Sequence, residues 1–327
     1  MCALCAALVF AGTAQAQTTG ERKGDGIRDD LYAVKLASGG QAWAVGAYGT
    51  ILHSTDDGRT WTRQVSPTTE PLFGVDLVDD QHGWIVGRAG IVLGSTDGGA
   101  TWRQQSSGTD KHLFDVDFVD EKFGCAVGDW GAILLTTDGG LTWRMHELKQ
   151  DVILNGVALL DRNRGWIVGE AGTVLSTDDG GVTWVRHDVG VNKTLFGVHF
   201  ADERCGWVVG IDALILSTDD GGVTWTVQNG SAEAGGLDQV GFAYAYENPS
   251  LYEVAVLGPT GVAVGDTGAV FRSEDGGRSW KRKEMPAEWG LRWFAHVDLI
   301  SQSDGLIVGA EGSRLSIRNG QLQLPNR

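Results

Sequence analysis

At 327 residues the chain exceeds the usual size of one domain, yet closed all-β folds reach this length as a single unit. Its 26 Lys and Arg against 42 Asp and Glu leave a net charge of −16, which sets nucleic acid and anionic lipid headgroups aside as partners. With 49 Gly, only 6 Pro and no low-complexity tract, the composition fits many short strands joined by tight turns and excludes collagen and disorder.

The first sixteen residues, MCALCAALVFAGTAQA, carry no charge, and the run from Ala3 to Ala11 is apolar. Ala14-Gln15-Ala16 is the small-x-small pattern that signal peptidase cleaves after, so residues 1–16 read as a signal peptide directing the chain to the periplasm. No Lys or Arg precedes the apolar run, and Cys5 lacks a lipoprotein box. Residues 17–29 read as a flexible lead-in. No later segment approaches the roughly 20 apolar residues of a spanning helix, so no direct membrane insertion is expected. Beyond the signal only Cys125 and Cys205 remain, at different repeat positions in non-neighbouring units, and both are expected to be buried free thiols.

The repeat then dominates. Trp61, Trp102, Trp143, Trp184 and Trp225 follow one another at intervals of 41 residues, and Trp280 comes 55 residues later, one period plus a 14-residue insertion. In phase with them, Gly46, Gly87, Gly128, Gly169, Gly210, Gly265 and Gly309 each close a short apolar stretch such as GWIVG. The second unit shows four strand-like segments, around Phe73–Leu77, Trp84–Val86, Ile91–Leu93 and Thr101–Gln104, rich in β-branched and aromatic residues and bounded by Asp and Gly. Seven units of four short strands, A to D, with no helical period, predict an all-β, seven-bladed propeller of four-stranded antiparallel blades over residues 30–327, expected to be a monomer. Each blade covers its neighbour's face, and no strand exchange is needed to close the ring.

Six C–D turns carry the Asp-box, S/T-x-D-x-G-x-T/S-W, with Asp56, Asp97, Asp138, Asp179, Asp220 and Asp275 at its centre. The Asp side chain accepts backbone N–H groups, the Gly permits φ > 0, and the Trp packs between sheets. The seventh unit has Asn319-Gly320 instead, a two-residue hairpin signal. Asp178-Asp179-Gly180-Gly181 lacks the alternating oxygen ligands of a calcium loop, and no metal or cofactor is expected.

Subtracting what recurs separates scaffold from function. Trp43, Trp84, Trp166 and Trp207 share one strand-B position, whereas Trp130, Trp289 and Trp293 have no repeat role. Alternating strand direction puts the B–C and D–A loops on the face opposite the Asp-boxes. That face is expected to hold Tyr48, Trp130, Trp289 and Trp293, with Tyr244 and Tyr246 from the insertion at about 230–250. The same loops carry Asp129, Glu170, Asp212, Asp266 and Glu311 against one cation, Arg88. Aromatics gathered on loops with an acidic rim predict a partner-binding surface.

The segments LFGVDLVD, GWIVG and STDGGATW of the second unit resemble the photosystem II stability/assembly factor family of Asp-box propellers, and the likeness runs from about Leu31 to Leu324. What it implies is a periplasmic or lumenal scaffold, without catalysis, that binds membrane-protein subunits during assembly. The arginine-rich contact patch of that family has no match here, where the corresponding loops are acidic. Asp-boxes also occur in sialidases and other glycoside hydrolases, and a glycan-binding propeller is a further alternative. A sialidase resemblance would call for three Arg residues around a carboxylate and a Tyr nucleophile. The loop face offers Arg88 and Arg292, with Tyr244 or Tyr246 beside Asp129 or Asp266.

Overall fold

The computed structural model describes residues 26–148, 150–230 and 247–324. Seven separate four-stranded sheets, each made of four strands consecutive in sequence, form the blades. All pairings are antiparallel. The first strands, A, are Leu31–Leu36, Leu72–Leu77, Leu113–Phe118, Leu154–Leu159, Leu195–Phe200, Leu251–Leu257 and Phe294–Leu299. Each touches the next, and the last touches the first, so the A strands form the inner ring around a central channel. Among the described residues no strand crosses between blades to close it.

The hydrophobic core is divided between the blades. One apolar cluster joins Trp43, Val45 and Ile51 of blade 1 to Leu72, Ile85 and Trp102 of blade 2. Equivalent clusters fill the remaining junctions, ending with Leu31, Val34 and Trp61 of blade 1 against Leu306 and Val308 of blade 7. Trp84 donates its indole N–H to the Gly139 carbonyl of the next blade at 3.0 Å, and Trp207 does the same to Gly277. The box turns are therefore part of the blade-to-blade contact. At Gly99 the backbone has φ +71, and a Cβ would lie 2.3 Å from Trp43 Nε1 of the preceding blade. Only Gly meets both conditions.

Within the first box, Asp56 accepts the Thr60 amide (2.8 Å) and hydroxyl (2.7 Å), while Ser54 donates to Asp56 and accepts the Gly58 amide. The same set recurs around Asp97, Asp138, Asp179, Asp220 and Asp275. These bonds hold the carboxyls of Asp56, Asp97, Asp179 and Asp220 down at about 2. In blade 7, Asn319 and Gly320 both have positive φ, as the two-residue hairpin requires.

Both thiols are free, and Cys125 fills the strand-B Trp position of blade 3 fully buried. Cys205 is only half-buried, because it lies in the A–B turn just ahead of strand B. Of the lead-in, Ile27 packs on the junction of blades 7 and 1, and Asp29 pairs with Arg63.

Candidate functional site

The two faces differ as the strand order requires. On one, every C–D turn donates an amide to the A–B turn of its own blade, from Asp57 N to Gly40 O in the first to Gly320 N to Ser303 O in the last. On the other, the first residue of each B–C loop donates to the carbonyl just ahead of strand A: Ala47 to Asp30, Arg88 to Pro71, Asp129 to His112 and Glu170 to Ile153. Ile211, Asp266 and Ala310 repeat the bond with Thr194, Ser250 and Trp293. The second residue of each B–C loop is left-handed: Tyr48, Ala89, Trp130, Ala171, Asp212, Thr267 and Glu311 all have φ between 52° and 60°. That conformation is strained for a large side chain. Tyr48 and Trp130 nonetheless occupy it, each 60% exposed.

The loop carboxylates are brought to this face, but they are not a free acidic rim. Asp212, Glu311 and Glu170 each tie their B–C loop to the lead-in of their own strand A. Asp212 pairs at 3.0 Å with Lys193, whose side chain is buried, and Glu311 pairs at 2.9 Å with Arg292. Glu170 accepts the Ile153 amide, and Asp129 lies 3.8 Å from His112. Burial raises the Asp266 carboxyl, and a hydrogen bond from the Tyr252 side chain opposes that shift. Even the expected cation, Arg88, sits 3.7 Å from Glu70. Sequence spacing shows these acids on exposed loops, but the D–A partners facing them come from outside the repeat motif.

Two of the expected surface tryptophans are packing elements. Trp293 stacks on Tyr32 with centroids 5.9 Å apart and planes 9° from parallel. Trp289 stacks on Phe294 at 6.1 Å and carries the Arg292 guanidinium 4.9 Å from its centroid. Tyr244 and Tyr246 lie outside the described residues.

The lining of the channel is not among the sequence expectations. The second residue of every A strand is skipped in the pairing with strand B, as the shift between Leu31↔Gly46 and Ala33↔Val45 shows, and the other six blades repeat it. Such a bulge re-aims a side chain. It turns Tyr32, Phe73, Phe114, Phe196 and Tyr252 toward the channel mouth on the B–C loop face, with Asn155 and Ala295 at the two remaining positions. Aromatic contacts run from Trp293 through Tyr32 and Phe73 to Phe114, and separately between Phe196 and Tyr252.

Below this collar, Asp115, Glu253 and His296 form one layer, and Lys35, Asp76, Asp117, His199 and Asp298 a deeper one. The deeper layer mends the exposed inner edge of the A strands, whose amides would otherwise lack partners. Asp298 accepts the Leu36 amide, Asp76 that of Phe118 and Asp117 that of Leu159, each across a blade junction. His199 donates through Nε2 to Val256 O, and Lys35 pairs with Asp76 at 2.8 Å. Burial raises the Asp117 carboxyl, and the Asp76 charge adds to it. Asp298 is raised by the same desolvation.

The upper layer is less committed. Asp115 accepts the Val157 and Val116 amides, yet burial still lifts its carboxyl to about 6. Glu253 accepts its neighbour Val254's amide and is raised well above the usual carboxylate range, by burial and then by the Asp115 charge. His296 Nε2 lies 3.6 Å from it, too far for a hydrogen bond, and burial depresses this imidazole to about 3. His296 is thus neutral, and its Nδ1 is buried without a partner among the described residues.

A family model described as photosynthesis system II assembly factor YCF48 matches residues 101–189 and 183–245, under half of the chain. No curated protein matches by sequence. Among solved structures, YCF48 bound to a D1 peptide superposes with a TM-score of 0.70 at 19% identity, over 90% of this chain and 93% of that one. YCF48 from Cyanidioschyzon merolae gives 0.68 at 19% identity, over 90% and 97%. The GH74 xyloglucanase from Xanthomonas campestris reaches 0.70 at 14% identity, over 91% of this chain but 54% of that one. The fold is shared by all three, and the repeat sequence resembles the assembly-factor family.

Proposed function

We propose that this chain, a propeller of the photosystem II assembly-factor type, is an exported, non-catalytic interaction protein that binds a membrane-protein subunit through its B–C loop face. The observation that carries the reading is the pair of exposed aromatics, Tyr48 and Trp130, held at left-handed positions where the other five blades place Ala, Asp, Thr or Glu. A large apolar side chain kept in a strained and wet position gains nothing for the fold, whereas aromatic anchors of this kind dominate binding energy at protein interfaces. The likeness to a propeller described as bound to a D1 peptide supports a polypeptide partner. Non-catalysis is supported by the carboxylates themselves. On the loops they staple the lead-ins of strand A, and in the channel they cap strand amides, so few are left to serve as a paired acid and base.

The test is capture from detergent-solubilised membranes of the source organism, with wild type, Trp130→Ala and Tyr48→Ala as baits. Recovery of a discrete membrane protein by wild type, falling about tenfold or more with Trp130→Ala, is expected for an interfacial hot spot. Equal recovery by all three baits would sink the proposed surface. Turnover of a glycan panel, abolished by Asp115→Asn, would instead favour a hydrolase.

A further inference from the structure

We infer that the channel mouth is a receptor for one cationic side chain, a guanidinium or ammonium group presented by the partner protein. This rests on the interaction reading above but concerns a different part of the same face. Three features converge on it.

The first is shape. The mouth is a recess open to solvent with a cavity of about 70 Å³, and Asp115, Glu253 and His296 line both it and the deeper channel. The second is the wall. Tyr32, Phe73, Phe114, Phe196 and Tyr252 are delivered there by backbone bulges rather than by regular pleating. A cation is drawn to aromatic ring faces, and more strongly where water is excluded. The third is charge. The floor carries two carboxyls and a neutral imidazole, and the only channel cation among the described residues, Lys35, lies one layer deeper, already paired with Asp76.

The deeper acids each cap an amide of the neighbouring blade, but Glu253 takes only the amide of the residue after it, and its other oxygen has no hydrogen bond among the described residues. Burial without a counter-charge is costly, and its mark is the raised carboxyls of Glu253 and Asp115. A cation between them would relieve that cost.

The arrangement favours an organic cation on an apolar stem. Among the described residues no group of three or more His, Cys, Asp or Glu converges closely enough to hold a metal ion. An arginine or lysine stem matches the collar, because its methylenes lie along ring surface while the charged head reaches the floor. The guanidinium, being planar and weakly hydrated, suits both the rings and the carboxylates.

The experiment is calorimetric titration of the intact protein at pH 8 with N-acetylarginine amide, and with neutral N-acetylglycine amide as the comparison. Saturable binding in roughly the millimolar range is expected for the arginine compound alone. It should weaken about tenfold or more in Glu253→Gln and in Phe196→Leu, with folding of each variant checked by its thermal transition. No saturable binding by wild type, equal heats from the glycine compound, or full affinity in a folded Glu253→Gln would overturn the inference. The two readings fail separately. Partner capture that depends on Trp130, with no arginine binding, keeps the interaction surface and removes the receptor.

Discussion

Replacing Lys35 by Met removes the one channel cation among the described residues while keeping most of its apolar volume. At 2.8 Å from Asp76 the pair is worth about 6 kcal/mol of gross Coulomb attraction at an effective dielectric of about 20. Breaking a buried pair costs about 3–5 kcal/mol, because the abandoned charge stays behind. Asp76 is buried, but the Lys35 side chain is 32% exposed, so water recovers part of the loss and about 2–3 kcal/mol is expected at pH 8. The cost depends on pH through the other acids. Asp115, Asp117, Glu253 and Asp298 all have raised folded carboxyls. Between about pH 4 and their folded values they bind protons in the native state that the unfolded chain has released, so stability falls as pH rises. Lys35 itself, raised by the Asp76 charge, stays protonated in both states throughout that window. Without it the four acids are raised further and the fall steepens. Urea midpoints for wild type and Lys35→Met at pH 5.5 and pH 8, with slopes compared, measure this directly. The variant's deficit should shrink to about 1 kcal/mol or less at pH 5.5. A deficit equal at both pH values would refute the view of the channel as a buried acid cluster held by one lysine.

Gly99→Ala should destabilise by about 2–4 kcal/mol, since the methyl meets Trp43 of the adjoining blade at a left-handed position. Gly190→Ala, with φ +70 and nothing within 4 Å, should cost about 1 kcal/mol, and equal denaturation midpoints for the two would refute the blade-latch role. Asp97→Ala should lower the thermal midpoint at neutral pH more than Asp97→Asn, which keeps an acceptor for the Thr101 amide. Because the Asp97 carboxyl is depressed to about 2, its stabilisation is present above about pH 4 and is lost as pH falls toward 2, so the gap between wild type and Asp97→Ala should close over that range. In protein lacking residues 1–16, a thiol reagent at pH 8 should label Cys205 in the native state and Cys125 only after unfolding, since burial raises the Cys125 thiol well above its usual range. Rapid native labelling of both would contradict the packing of blade 3.

The blades were legible because their signals are local. The box turn needs Asp, Gly and Trp at fixed offsets within eight residues, and strand B ends on a Gly in every unit, so period alone counts seven. The loop face was legible too, since strand direction alternates. The collar was not, and the reason is physical. Tyr32, Phe73, Phe114, Phe196 and Tyr252 sit beside Leu in stretches such as LFGV, where an aromatic reads as core. Only the bulge, a matter of register against strand B, turns them into the channel. Subtracting the repeat also discards a site that the repeat itself builds. One signal was present in the sequence: Asp115, Asp117 and Asp298 interrupt apolar A strands, and a carboxylate within an innermost strand needs a reason.

The two channel layers show how one symmetric scaffold yields both a structural and a binding position. At the fifth residue of strand A, an acid reaches the next blade's free amide, as Asp76, Asp117 and Asp298 do, and the ring gains a polar seam along an edge that would otherwise be unsatisfied. At the third residue, Ala33, Gly74, Gly156 and Gly197 leave room, and only Asp115, Glu253 and His296 carry polar groups. Asp115 also serves the seam by accepting the Val157 amide of the next blade, and Gly156 and Gly197 let the neighbouring A strand approach, since a Cβ there would lie 2.5 and 2.8 Å from the Phe196 and Tyr252 carbonyl oxygens. Glu253 and His296 make no hydrogen bond across the junction among the described residues, and with Asp115 they form the polar floor of the recess. The asymmetry lies where the bulges have already placed five rings, so the least regular layer of the propeller is also the one best furnished to hold something.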